Sequence, residues 1–208
     1  MRKLIVYNMV TIDGFFAGPN GETDWHKYDE EMSANSIRLM KSLGLVIFGR
    51  LTYDLMAGYW PTPKGIQSEP AVADIMNNIP KIVFSKTLRN VKDGPVWKNV
   101  TVLSDLRADD INKIKEQKGK DIAILGSGTI VRQLTNLGLI DEYRLILNPI
   151  VLETGKPLFK DYPDLRLLGI RSFRNGNVLL TYKPGRSIKI IKGKTDKKVK
   201  PIAVAVGR

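Results

Sequence analysis

Three short stretches of the chain combine residue types suited to a phosphorylated ligand. In "VIFGRLTYDLM" (46–56) an apolar run gives way to Gly49, Arg50 and Thr52, where a strand would hand over to a helix. Arg50 is a planar, permanently charged fork, and Thr52 falls in the first helical turn beside unpaired backbone N–H groups. "IVFSKTL" places Ser85 and Lys86 after another apolar run. In "AILGSGTIV", Gly126 and Gly128 clear side chains from the turn around Ser127, and the helix that follows exposes free N–H groups that would accept a pyrophosphate. Each stretch also has a plainer reading: a solvated arginine at a helix start, or a tight turn capped by Ser127. The familiar nucleotide signatures do not fit. Val131 occupies the last position of a G-x-G-x-x-G register, and Ile188 stands where a P-loop ending in the "GKT" of 193–195 would need its first glycine.

The rest of the inventory narrows the chemistry. Cysteine is absent and His26 is the only histidine. Thiol nucleophiles, disulfides and thiolate metal sites are therefore excluded, and no clustered metal-ligand spacing is present. His26, between Trp25 and Lys27, reads as a loop residue. Such an inventory suits hydride transfer, in which a cofactor brings the reactive atom and the protein brings position and electrostatics.

These residues need elements to hold them, and the chain alternates strand-like and helix-like segments. "KLIVYNMV" reads as a strand and 11–25 as a long loop rich in glycine and proline. Residues 29–43 have a helical apolar spacing, with Asp29, Glu30 and Glu31 in the first turn where the helix dipole favours them and Gly44 as the stop. Strands follow at 45–48, 81–85, 100–103 and 121–125, and helices at 51–57, 71–78, 107–118 and 127–138, with 59–70 a Pro/Gly-rich loop. Beyond 142 the pattern becomes strand after strand, and Asn175-Gly176 predicts a type I′ hairpin. Alternation followed by hairpins implies an α/β fold with a mostly parallel sheet and antiparallel strands at one edge. Ligands of such sheets bind at the carboxyl ends of the strands, where all three stretches lie.

The chain has 208 residues and a net charge of +12. Residues 184–208 hold eight Lys/Arg against one acid, so +7 of that charge belongs to a basic extension of a domain spanning 1–183. The extension has no aromatic residue for base stacking, which makes nucleic acid an unfavoured partner, and phosphate or an acidic surface is the alternative. No apolar run is long enough for a membrane span. A soluble, cytoplasmic protein is expected.

The order of "TIDGFFAGPNGETDW", "GRLTY", "VFSK", "GSGTIVRQL" and "GLIDEYRLILNPIVLETGKPLF" resembles the dihydrofolate reductase-like superfamily, and most closely the reductase half of the bacterial riboflavin-biosynthesis deaminase-reductase and its stand-alone relatives. The resemblance covers about 1–183 and implies a three-layer sandwich, NADPH as cofactor and a homodimer. By position it gives Gly49, Arg50 and Thr52, with Ser85 and Lys86, to the adenosine 2′-phosphate, and Gly126, Ser127, Gly128 and Thr129 to the pyrophosphate. Val10, Thr11 and Ala17 would flank the nicotinamide. Asp13 and Trp25 would border the substrate, Asp13 orienting it or relaying a proton; an Asx-type turn and a core anchor are their structural alternatives. Leu125 and Ser127 depart from the riboflavin-pathway pattern of a glutamate before two glycines. The implied substrate is accordingly broad: a pyrimidine, a pterin, or an imine or carbonyl compound. A relative that binds nucleotide without turnover is the alternative.

Overall fold

A computed structural model of the protein describes residues 1–89, 91, 93–160 and 163–185. Ten strands and six helices follow one another as β1 (Leu4–Thr11), β2 (Phe15–Ala17), α1 (Glu30–Ser42), β3 (Leu43–Gly49), α2 (Arg50–Tyr59), α3 (Pro63–Ser68), α4 (Pro70–Asn78), β4 (Lys81–Phe84), β5 (Val100–Leu103), α5 (Ala108–Glu116), β6 (Asp121–Ile124), α6 (Gly128–Asn136), β7 (Glu142–Asn148), β8 (Lys156–Pro157), β9 (Leu165–Ser172) and β10 (Val178–Pro184). Eight strands form one sheet in the order β5-β4-β3-β6-β1-β7-β10-β9. The first six are parallel, and β10 and β9 close the sheet as an antiparallel pair. The fold is the α/β, mostly parallel arrangement with a terminal hairpin that the alternation predicts.

Two apolar layers clamp the sheet. On one face Ile111 of α5 and Ile130, Val131 and Leu134 of α6 pack on Leu4, Val6, Ile47, Ile122 and Ile124. On the other, Leu39 and Met40 of α1 and Val72 and Met76 of α4 pack on Val46, Phe48, Val83 and Ala123. Adjacent residues of one strand thus serve opposite layers, which is why the central strands read as unbroken apolar runs. Lys81 is the exception in that row. Fully buried at the start of β4, it donates through Nζ to the carbonyls of Asn77, Ile79 and Lys98 and lies 4.4 Å from the Trp97 ring centroid.

Three local expectations are corrected. Helix α1 ends before Gly44, because Leu43 and Gly44 are already extended and Leu43 pairs with Asp121 on β6. Gly44 serves the close approach: a Cβ there would lie 3.2 Å from that of Lys120. Within 59–70 a short helix, α3, is started by Thr62, whose hydroxyl accepts from Gly65 N–H, with Pro63 in its first turn. The Asn175-Gly176 hairpin is not of type I′. Gly176 N–H donates to Phe173 C=O, Phe173 N–H donates to Asn177 C=O, and only Gly176 takes a positive φ, +89°. That is a three-residue loop ending in a left-handed glycine. The extension expected at 184–208 lies outside the described residues from 186 onward. Among the described residues, no helix is long and apolar enough to cross a membrane.

Candidate active site

The carboxyl ends of β3 and β6 lock together through glycine. Gly49 N–H donates to Gly126 C=O at 3.0 Å. A Cβ on Gly49 would come within 2.5 Å of Ser127 Oγ, and one on Gly126, at φ +121°, within 2.9 Å of Thr52 Oγ1. Thr52 and Ser127 are thereby each packed against a glycine of one backbone crossing. The Gly126–Ser127 peptide bond is cis. Gly128 is held as closely, since a Cβ there would meet the Phe16 ring at 2.5 Å, which brings the β2 loop onto the start of α6. Ser127 is the N-cap residue of α6, but its side chain makes no capping bond. This nine-residue helix begins at the crossing, with the Ile130 and Val131 N–H groups donating to Ser127 C=O. Thr129 is exposed beside them, its Oγ1 accepting from Arg132.

Arg50 starts α2 at this crossing and pairs with Asp54 one turn on, Nε to Oδ2 at 2.6 Å. Ser85 is buried and its Oγ accepts from the N–H groups of Thr87 and Leu88, so it shapes the turn that presents exposed Lys86. Together with Phe84, Ser104, Asp105, Leu106, Thr129, Ile130 and Gln133, these two residues line a groove of about 350 Å³ across the ends of β4 and β5 and the start of α6. Sequence reasoning missed the contributions of Ser104, Asp105 and Gln133. The first two are ordinary turn residues at the end of a short strand, and with no glycine beside them nothing set them apart from a plain turn.

Val10, Thr11 and Ala17 are buried at the end of β1 and in β2. Thr11 Oγ1 accepts from Phe15 N–H at 2.9 Å and fixes the turn between the two strands. Asp13, in that turn, accepts from the N–H groups of Leu152 (3.1 Å) and Glu153 (2.8 Å). The Thr11 hydroxyl, then the Glu153 and Leu152 N–H groups, hold its carboxyl below the usual carboxylate range. Asp13 thus ties the 11–17 turn to the loop after β7. Trp25 is half-buried, donates from Nε1 to Glu22 C=O at 3.2 Å and stands edge-on to His26 at 4.4 Å. Burial lowers His26 to about 4, against a smaller opposing effect of Asp24, so the imidazole is neutral near pH 7.

The carboxylates at the start of α1 have structural employment. Asp29 accepts from Met32 N–H as the N-cap, and Glu31 accepts from Arg174 N–H and pairs with Arg171. The Arg174 N–H and the Arg171 side chain hold Glu31 below its ordinary value. Just upstream, two fully buried asparagines grip Lys27: its N–H donates to Asn148 Oδ1, and its C=O accepts from Asn177 Nδ2.

With this geometry in view, the RibD C-terminal domain model matches residues 2–179. The chain belongs to the RibD C-terminal domain family. Bacillus subtilis YyaP is 33% identical over 184 residues, covering 87% of this chain and 94% of that protein. Among solved structures, a putative riboflavin biosynthesis protein from Shewanella sp. PV-4 superposes with a TM-score of 0.69 at 22% identity, covering 88% of this chain and 99% of its own. Dihydrofolate reductase from Enterococcus faecalis, complexed with NADP(H), superposes with a TM-score of 0.57 at 14% identity over 88% and 96% of the two chains. The fold is dihydrofolate reductase-like, and family and fold together are of the reductase type.

Proposed function

We propose that the protein is an NADPH-dependent reductase of a small pyrimidine, pterin, or imine or carbonyl compound. The observation that carries this reading is the locked crossing of β3 and β6, which gathers Arg50, Thr52 and the open start of α6 into one strip that continues into the groove beside Lys86. Its donor set of cations, hydroxyls and helix-start N–H groups fits a dinucleotide bearing several phosphates. Gly126, Ser127, Gly128 and Thr129 hold the pyrophosphate, while Arg50, Thr52, Ser85 and Lys86 surround the adenosine phosphate. The buried end of β1, at Val10 and Thr11, and Ala17 of β2 form the floor for the nicotinamide. When bound, NADPH supplies the hydride; the protein orients both reactants and keeps water away. Asp13 acts by fixing the turn that carries this floor, and Trp25 borders the substrate. The protein works as a homodimer through its C-terminal strands.

The test is nucleotide binding followed by fluorescence. NADPH should bind more tightly than NADH. Arg50→Ala should weaken NADPH about ten- to a hundred-fold, the span of one hydrogen bond to a charged group, and leave NADH unchanged. Equal affinity of the wild-type protein for the two nucleotides would sink the assignment of Arg50. Binding of neither would sink the reading as a whole.

A further inference from the structure

The stretch "GSGTIVRQL" holds one charged residue to which the candidate site gives no task. Arg132 stands on α6, one turn beyond Gly128 and Thr129. Side chains on a helix lean toward its N-terminus, so a long one at this position reaches back over the first turn. Its Nη2 donates there to Thr129 Oγ1 at 3.2 Å. Nη1 leaves the helix and donates to Pro157 C=O at 2.9 Å. The side chain is partly buried and, among the described residues, has no carboxylate partner. Both bonds are therefore charge-assisted bonds to neutral acceptors.

What the guanidinium grips at Pro157 is an element too small to stand alone. Strands β2 and β8 lie outside the eight-stranded sheet and pair with each other, Phe15 opposite Pro157 and Ala17 opposite Lys156. A ribbon of three residues against two has too few ladder bonds to hold its own position. Leu158 N–H donates to Gly14 C=O, and Asp13 accepts from Leu152 and Glu153, which ties the two strands and their flanking turns together. The backbones are tight within the ribbon, since a Cβ on Gly155 would come within 2.6 Å of Ala17 O. Any shift of β8 is thus passed to Ala17. Among the described residues, the hydrogen bond that joins this ribbon to α6 is the one from Arg132, beside the Phe16 ring packed on Gly128.

We infer that Arg132 is a positioning residue for the cofactor, fixing the nicotinamide floor to the phosphate-holding start of α6. The inference rests on the reductase reading, in which Thr129 meets the pyrophosphate and Ala17 lies under the nicotinamide. It adds the residue that sets one against the other. A ligand gripped at one end gains from contacts at the other only where those contacts are already in place. One planar fork spanning Thr129 and Pro157 keeps them in place, whereas a lysine offers a single point of charge on a flexible stem. Loss of the fork leaves each half of the cofactor site intact and loosens their relation.

The experiment compares NADPH with 2′-phospho-ADP-ribose, which keeps the adenosine, the phosphates and the terminal ribose but lacks the nicotinamide ring. Each is titrated by calorimetry into the full chain. Arg132→Met keeps an apolar stem over the first turn and removes the fork. It should weaken NADPH about tenfold and the ring-less analogue by less than about threefold. Arg132→Lys should show the same selectivity with a smaller loss, and it carries the comparison if melting curves show that Arg132→Met does not fold. Equal losses for the two ligands would mean that the side chain serves the phosphates or the fold alone, and would overturn the inference. NADPH binding like that of wild type in both variants overturns it as well. Wild-type protein that binds the two ligands equally has no ring floor for Arg132 to set, which overturns the inference and leaves the nucleotide site standing. Wild-type protein that binds neither overturns the reductase reading, and this inference with it.

Discussion

At the scale of single residues, Arg50 and His26 show how a neighbour decides what a side chain can do. Arg50 is partly exposed and already paired with Asp54, an i,i+4 contact worth only a few tenths of a kcal/mol in water. A phosphate competes easily with so weak a partner. Removing that partner should therefore help: Asp54→Asn is expected to tighten NADPH binding about two-fold in low salt, and the gain should vanish at high salt as the attraction is screened. Weaker binding in Asp54→Asn would mean that the carboxylate positions the guanidinium. His26 makes a different point. Its imidazole stays neutral down to about pH 4 in the folded protein, whereas the unfolded chain takes up the proton near 6.5. Stability must then fall as the pH drops from 6.5 to 4, by up to about 3 kcal/mol from this group. Urea unfolding at pH 7, 5.5 and 4 should show that loss in the wild type and a shallower one in His26→Phe. Parallel curves for the two proteins would remove His26 from the account.

At the scale of elements, β4 carries the plainest departure from a binary pattern. Lys81 opens a strand whose every residue is buried, yet it has carbonyl partners and an aromatic face in place of a carboxylate. The ammonium staples the end of α4 to the loop before β5, since Asn77 and Lys98 both accept from it. Lys81→Met keeps the volume and strands three carbonyls, so it should lower stability by about 3 kcal/mol and reduce the denaturant midpoint with an unchanged slope. A midpoint within error of wild type would show that water replaces the ammonium without cost. The hairpin between β9 and β10 gives a companion lesson. Asn-Gly predicts a turn there, and a turn forms, but Glu31 takes the Arg174 N–H and Asn177 is drawn inward to Lys27. Those contacts accompany a three-residue loop in place of the two-residue form.

At the scale of the molecule, the open question is the edge formed by β9. Leu168 and Ile170 on this outermost strand are 49% and 64% exposed, and Leu167 is nearly as open. An apolar edge strand left uncovered is a template for pairing with another chain. A two-fold dimer would cover both copies of the edge at once. Light scattering at micromolar concentration should give twice the mass of the 23.3 kDa chain. Replacing Leu168 and Ile170 with lysine should yield monomers that still bind NADPH. A wild-type monomer would leave this face without the partner proposed for it.

What the sequence determined by itself was the alternation of strands and helices, the closing hairpin and the strand ends that carry glycine turns. Those features rest on local periodicity and on turn residues, which act within a few positions along the chain. Gly49, Thr52, Gly126 and Ser127 could be picked out as turn and helix-start residues because the types that such turns require are few. Their mutual fit could not be read, because Gly49 and Gly126 are 77 positions apart and meet only when β3 and β6 pair. The same limit hid the bond from Ser33 to Glu69 that joins the starts of α1 and α4. On its own Glu69 is a charged residue before a proline in a loop-like stretch, and only the packing of α4 beside α1 brings it to the Ser33 hydroxyl. Tertiary structure also redirected Asp13 and Glu31 to backbone N–H groups brought from 139 and 143 residues away. A carboxylate goes to whichever donors the fold supplies, and the fold supplies them across the sheet rather than along the chain.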